Sequence, residues 1–344
     1  MNRMRPGVYA SYTVTAVSAK NKGRAGAVAA KSPKGTMPVQ KVTSFSEAKA
    51  LFGAVEEGND LMQWMQAVYD NGSPVVYVKS MEDSGAAAYQ SALEELLETE
   101  AYVVCWDKSD SALAEYVAER LAELAERGTL KLAVCRGETE NEAVTMAKAV
   151  NSARVCLTYP KMTWGSMTAD VAPAVLAAQI AGCEDLGGNL NGALVQGDVQ
   201  VVNVSSEDSV NALIRSGVCV FEQNGSFAEL IRGVTTATMD EQGNADATFR
   251  NLSVTMIADV VMEELRALLK ARLLQAKGSK ATLDSIASLV VCQLSDLEDQ
   301  GLLSGYEMPA MYLSEEDSTV CMVEVQFTVL QGIQQVVLNA QIMV

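Results

Sequence analysis

The sequence predicts a mixed fold, α/β plus α+β: a central α/β body followed by a C-terminal α+β region. Three observations predict it. Strand-like apolar runs alternate with helical patterns from residue 75 to residue 222, the mark of a parallel sheet covered on both faces. The alternation then stops, and two long helical patterns, 251–276 and 280–299, are followed only by strand patterns. The last segment alternates with period two, placing Val336, Leu338, Ala340, Ile342 and Val344 on one side and Val337, Asn339, Gln341 and Met343 on the other. Chain ends usually fray. A half-buried strand at this position needs something to bury itself against.

Residues 1–25 read as an arm and linker. Pro6-Gly7 opens a short strand carrying Val8, Tyr9, Tyr12 and Val14, and the Lys/Gly-rich stretch around Lys20, Gly23 and Gly26 reads as a flexible connector. Ser44 with Glu47 forms a capping box at the start of a short helix. A second helix from Asn59 carries the apolar stripe Leu61, Trp64, Met65 and Val68. Asn71-Gly72-Ser73-Pro74 then turns the chain into strand 75–79. Helices at 84–99, 110–127, 138–150, 170–182 and 206–216 each lead to a strand, at 102–106, 130–135, 154–159, 199–204 and 218–222. Asn224-Gly225 tolerates φ > 0 and makes a hairpin turn, so strand 228–236 runs back antiparallel. Strands at 306–313 and 319–330 precede the terminal one, with a second connector at Gly332. The expected division is an arm and linker (1–25), an N-terminal α+β segment (26–95), a central α/β domain (96–240), a C-terminal α+β domain (241–332) and a terminal strand (333–344).

Composition bounds the chemistry. Of the 344 residues, 49% are apolar, enough for packed cores. No apolar run is long enough to span a bilayer, and no apolar segment near residue 1 reads as a secretory signal. The seven cysteines have no paired spacing and sit mostly in strand-like runs, which predicts buried thiols in a reducing compartment. The net charge of −17 is unevenly placed: residues 1–50 carry nine Lys or Arg against the single acid Glu47. A basic head on an acidic body suits contact between copies and argues against nucleic acid as a partner. Histidine is absent. That removes the commonest general base, the histidine-dependent triads and the commonest zinc ligand.

The remaining candidates are weak. Gly187-Gly188-Asn189-Leu190-Asn191-Gly192 follows a helix and precedes a strand, the reverse of a phosphate loop. Glu184, Asp185 and Asp198 have no cation-cage spacing. Asp107, Ser109 and Asp110 close strand 102–106, where α/β enzymes place functional groups, but Ser109 or Asp110 also suits the N-cap of the next helix. Glu115, Glu119, Glu123 and Glu126 read as a solvated helix face. No catalytic, metal or cofactor residue is expected.

Several blocks, in order along the chain, resemble the contractile tail sheath proteins of bacteriophages and phage-tail-like bacteriocins. They are Pro6-Gly7-Val8-Tyr9; Phe45 through Phe52-Gly53, then Asn71-Gly72 and Val75–Lys79; Ala172-Pro173-Ala174 with Ala181-Gly182; LIRSGVCVFEQNG at 213–225; IRGVTTAT at 231–238; and Phe249–Val254. The resemblance implies a non-catalytic, subtilisin-like central domain. It implies hexameric rings stacked helically around an inner tube, with Val8, Tyr9, Tyr12 and Val14 of the N-arm and Val336–Val344 of the C-arm exchanged between subunits. It also implies baseplate and terminator proteins as partners, assembly in a host bacterial cytoplasm, no membrane insertion, and contraction that drives the tube through an envelope. The competing expectation is an α/β nucleotide-binding enzyme that dimerises through its C-terminal strand.

Overall fold

A computed structural model describes residues 23–82, 85–184, 190–202, 206–273, 280–316 and 320–332. The N-arm positions Val8, Tyr9, Tyr12, Val14 and Lys20, and the terminal positions Val336, Leu338, Ala340, Ile342 and Val344, lie outside these residues.

The body begins β1 (Gly26–Lys31), β2 (Gln40–Val42), α1 (Phe45–Phe52), α2 (Asp60–Asp70), β3 (Val76–Met81), α3 (Ala86–Leu97), β4 (Val103–Trp106), α4 (Ser111–Glu126), β5 (Leu132–Arg136), α5 (Glu140–Val150) and β6 (Val155–Tyr159). It continues β7 (Met162–Trp164), α6 (Ala172–Gly182), β8 (Ala193–Leu194), β9 (Val199–Val201), α7 (Glu207–Arg215), β10 (Val218–Asn224) and β11 (Phe227–Arg232). Nine strands make one sheet in the order β2-β3-β1-β4-β5-β6-β10-β11-β8. From β3 to β10 the pairing is parallel. The outer strands β2, β11 and β8 pair antiparallel.

Both faces are covered, as the alternating pattern predicts. Along the parallel strands the side chains divide by period two. Val28, Val103, Cys105, Val134 and Cys219 pack beneath α1, α2 and α6. Ala27, Ala29, Val104, Trp106, Cys135 and Val220 pack beneath α3, α4, α5 and α7. Four of the seven cysteines, Cys105, Cys135, Cys156 and Cys219, are buried strand residues, whereas Cys292 is exposed. Burial raises the Cys135 thiol to about 12, so it is inert as a nucleophile near neutrality.

β1 is the strand that the sequence hides. It sits centrally, parallel to β3 on one side and β4 on the other. Ala27, Val28, Ala29 and Ala30 are buried, so neither face is polar and no alternation marks the strand. Gly26 opens it: its N–H donates to Val75 O at 3.0 Å, and strands flank it on both sides. A connector therefore cannot extend to Gly26, contrary to the reading of Gly26 as a hinge. The sheet also runs through residue 95, where the sequence suggests a boundary, because β1 joins β3 directly to β4.

The helix starts follow the expected chemistry. Ser44 Oγ accepts from Glu47 N at 3.2 Å, and Glu47 reaches back to Thr43 N at 2.9 Å. Asp110 caps α4 through Leu113 N at 3.1 Å. The block at 213–238 serves as a strap. Gly217 has φ +83°, and a Cβ there would lie 2.7 Å from Thr235 O, so only glycine fits. Thr236 Oγ1 donates to Ser152 O at 3.0 Å and accepts from Ser152 N at 2.9 Å. Strand β11 stops at Arg232, short of the expected residue 236, and Thr236 becomes this anchor instead, while Thr235 Oγ1 donates to Phe249 O at 2.7 Å.

Beyond the body run α8 (Leu252–Leu273) and α9 (Lys280–Asp299), followed by β12 (Leu303–Tyr306), β13 (Ala310–Leu313), β14 (Cys321–Glu324) and β15 (Phe327–Val329). The helices share a separate core of Ile257, Val261, Leu265, Val290, Leu294 and Leu297, closed by Leu302 and Leu303. The expected strand 319–330 is divided into β14 and β15, whereas the expected strand 306–313 holds β13 and shares only Tyr306 with β12, which starts earlier. Pro309 carries no N–H, and the regular strand pairing is interrupted beside it.

Candidate assembly interface

The four short strands form one bent ribbon. β12 pairs antiparallel with β15 (Leu303↔Val329, Tyr306↔Phe327), and β13 with β14 (Ala310↔Glu324, Leu313↔Cys321). Glu307 N donates to Gln326 O at 2.9 Å across the interruption, so one backbone bond links the two pairs. Among the described residues no strand of the ribbon has a second partner, and both outer edges are open.

The two halves of the ribbon differ. The half made by β12 and β15 closes the helical core through Leu303, Tyr306, Phe327 and Val329. The half made by β13 and β14 has no buried residue on either face. Its outer side presents Tyr312 and Met322, 43% and 42% exposed, as a cross-strand pair. Met308, at 78%, is the most exposed large apolar side chain beside it. A two-stranded ribbon of this kind is marginal in water unless strands or a packing face are added. Open edges flanked by apolar side chains are a template for strand addition.

A polar joint sets where the ribbon sits. Asp259 of α8, 2% exposed, accepts both Arg154 Nη atoms at 2.9 and 3.0 Å and the Tyr102 hydroxyl at 2.9 Å. One turn on, Glu263 pairs with Arg24 at 2.7 Å, and the Arg24 guanidinium lies 3.8 Å above the Tyr102 ring. Arg266 donates to Gly128 O. Burial pushes the Glu263 carboxyl up, with the Arg24 charge opposing. Burial pushes the nearby Lys131 ammonium down to about 8, although its Nζ donates to Thr99 O and Ala101 O at 2.5 and 2.6 Å. Arg24 N also donates to Ala181 O at 2.7 Å, so the described chain enters the body at Gly23–Arg24 with its path fixed beside α8.

Sequence reasoning missed this joint. Its signal is a stripe at helical spacing, Leu252, Met256, Asp259, Glu263 and Arg266, in which charges stand where apolar residues are expected. The other singled-out residues stay apart from it. The Ser109 hydroxyl lies within hydrogen-bond reach of Glu142 Oε1 at 2.7 Å and of Arg136 O at 3.0 Å, and Asp107 lies in a cleft at the opposite end of the sheet. Gly187 and Gly188 lie outside the described residues, as does Asp185. Gly332 follows β15 at the end of the described chain. Among the described residues no group of three or more acidic or cysteine side chains could hold a metal ion, and no helix is long and apolar enough to cross a membrane.

Superposition on solved structures covers nearly the whole chain. The sheath complex of an extracellular contractile injection system in its contracted state matches with a TM-score of 0.73 at 15% identity, over 99% of this chain and 98% of that one. The fold is that of contractile tail sheath proteins. The contracted helical sheath of the anti-feeding prophage gives 0.71 at 15% identity, with 98% of each chain covered. A sheath tail protein of Listeria innocua gives 0.67 at 10% identity, over 91% and 96%. In sequence, the tail sheath protein of Bacillus phage SP01 is 26% identical over 175 residues, 47% of this chain. The chain spans 29% of that relative's length. No family model matches. The sheath resemblance read from the sequence blocks therefore holds at the level of fold.

Proposed function

We propose that the chain is the structural subunit of a contractile sheath, with a mechanical rather than a catalytic role. Copies assemble as rings stacked helically around an inner tube, joined to a baseplate at one end and a terminator at the other. The observation that carries this reading is the end-to-end match to sheath subunits, body and C-terminal region together. The ribbon supports a mode of assembly. A neighbour's terminal strand, Val336–Val344, adds to one open edge, and a neighbour's N-arm, Val8–Val14, adds to the other, giving four strands where one chain has two. Head-to-tail exchange of this kind propagates into rings and helices rather than closed dimers. During contraction the bodies move as rigid units, connectors at Lys20–Gly23 and near Gly332 absorb the change, and strand pairing persists.

Electron microscopy of the purified protein tests this function. Long hollow cylinders are expected. Discrete particles under every assembly condition would contradict it and favour the α/β enzyme reading.

A further inference from the structure

The two open edges of the ribbon are not equivalent. In an antiparallel pair, residues bonded across to the partner strand alternate with residues whose N–H and C=O point away from it. Ser314 N donates to Val320 O at 2.8 Å, Glu307 N to Gln326 O at 2.9 Å, and Leu330 N to Leu302 O at 2.9 Å. Val320, Gln326 and Leu330 are therefore turned toward the partner strand, and the register of each pair turns Met322, Glu324 and Thr328 the same way. Cys321, Val323, Val325, Phe327 and Val329 then direct their N–H and C=O groups outward, at every second position from β14 into β15 without a break.

The edge made by β12 and β13 is broken twice. Its register shifts between Leu303 and Gly305. Between Tyr306 and Ala310 three residues stand opposite two, since Tyr306 faces Phe327 and Ala310 faces Glu324. Pro309 lies in this second irregularity and has no N–H to offer. Bulges and proline are devices that blunt a sheet edge against strand addition. Among the described residues, regular outward spacing is left on that side only at Met311 and Leu313.

The side chains sort in the same way. Along 321–329 the outward-bonding residues are half-buried and those between them are exposed. Val325, Phe327 and Val329 pack against the core shared by α8 and α9. β15 contacts α8, whereas β12 and β13 contact α9. A strand laid beside β15 would therefore lie over α8, which keeps Val260, Leu268 and Leu269 half-buried. The stretch 336–344 suits this edge in length and in pattern, with nine residues against the nine of 321–329. Its alternating apolar set, Val336 to Val344, would extend the half-buried face, and Asn339 and Gln341 would join Glu324 and Gln326 on the exposed one.

We propose that the edge 321–329 is the acceptor for residues 336–344 of a second copy, and that Pro309 and the two bulges keep that strand off the opposite edge. The proposal rests on the strand exchange put forward for assembly and adds which edge performs it.

Residue-resolved hydrogen exchange tests it on the dilute full chain, alone and with an excess of synthetic peptide of sequence 333–344. The amides of Val323, Val325 and Phe327 should exchange freely in the chain alone and slow about tenfold or more with peptide, while those of Met311 and Leu313 stay unchanged. Slow exchange at Val323, Val325 and Phe327 in the dilute chain alone would mean that its own segment fills the edge, and would overturn the second copy as occupant. Protection at Met311 and Leu313 instead, or at neither edge, would overturn the assignment. Val323 and Met311 face each other across the ribbon, one on each edge, which gives a matched pair of variants. Val323→Pro and Met311→Pro each remove one outward N–H and keep the bonds between the strands, so both should fold. Peptide protection should be lost in Val323→Pro and kept in Met311→Pro, and an equal loss in both would contradict the choice of edge. Cylinder formation by micrography is read separately, so failure of the edge assignment and failure of the sheath reading are distinguishable.

Discussion

The body and the ribbon are built on opposite terms. In the body, the parallel strands β3, β1, β4, β5, β6 and β10 of the large sheet each have partners on both sides and helices on both faces, and Ala27, Val28, Ala29, Val103 and Val104 are completely or almost completely buried. In the ribbon, every strand has one partner among the described residues, and no residue of β13 or β14 is fully buried. The same chain therefore contains a region complete in itself and a region whose hydrogen-bonding and packing capacity exceed what it uses. A sheet edge left open with Tyr312 and Met322 beside it is an aggregation hazard in an isolated molecule. In the proposed lattice it would be the point of attachment. Substitutions in the body should act on stability, and those in the ribbon and arms on assembly.

The sharpest separation comes from removing residues 336–344. Cylinders should be lost entirely, while circular dichroism and a cooperative unfolding transition persist. Cylinders forming normally without this segment would break the comparison. Next in size is the joint between body and ribbon. Arg154→Met strips the partner from Asp259, a carboxylate 2% exposed, and breaking such a pair costs about 3–5 kcal/mol. Urea unfolding should show this loss, and an unchanged midpoint would mean that the joint is not holding α8 to the body.

A smaller effect depends on pH. The Lys131 ammonium titrates near 8 in the folded chain, against an ordinary value of 10.5. Between these values the unfolded chain holds a proton that the folded chain has released, so this group's contribution rises with pH across that window. Below about 8 both forms are charged and the burial penalty stands in full. The urea midpoint of the native chain, compared with that of Lys131→Gln, should therefore gain ground from about pH 7 to about pH 10. A falling difference would reverse the sign. The smallest expected change in stability is Met322→Lys, on the open side of the ribbon. Its midpoint should stay within about 0.5 kcal/mol of the native value, while its assembly into cylinders falls sharply.

The body was legible where one physical signal dominates. Capping at Ser44 and Asp110, the Asn224-Gly225 turn and the alternation of strands with helices each follow from local chemistry. β1 was not legible, because a central strand of Ala and Val beside a Lys/Gly-rich stretch carries neither alternation nor a large apolar residue. The joint was hidden for a different reason. Arg154 and Asp259 are 105 residues apart, and nothing local announces a long-range ion pair. The cleft that holds Asp107 combined both difficulties: Asp107 was noticed as a strand-end residue, but Lys31 and Trp64 join it only once β1 is placed beside β4.

The most direct test of the central claim is a helical reconstruction of the assembled protein that traces residues 333–344. The account predicts this segment as a strand hydrogen-bonded to the open edge of a neighbouring subunit's β12–β15 ribbon. Finding it paired within its own subunit, with the ribbon edges of every copy bare, would contradict the account.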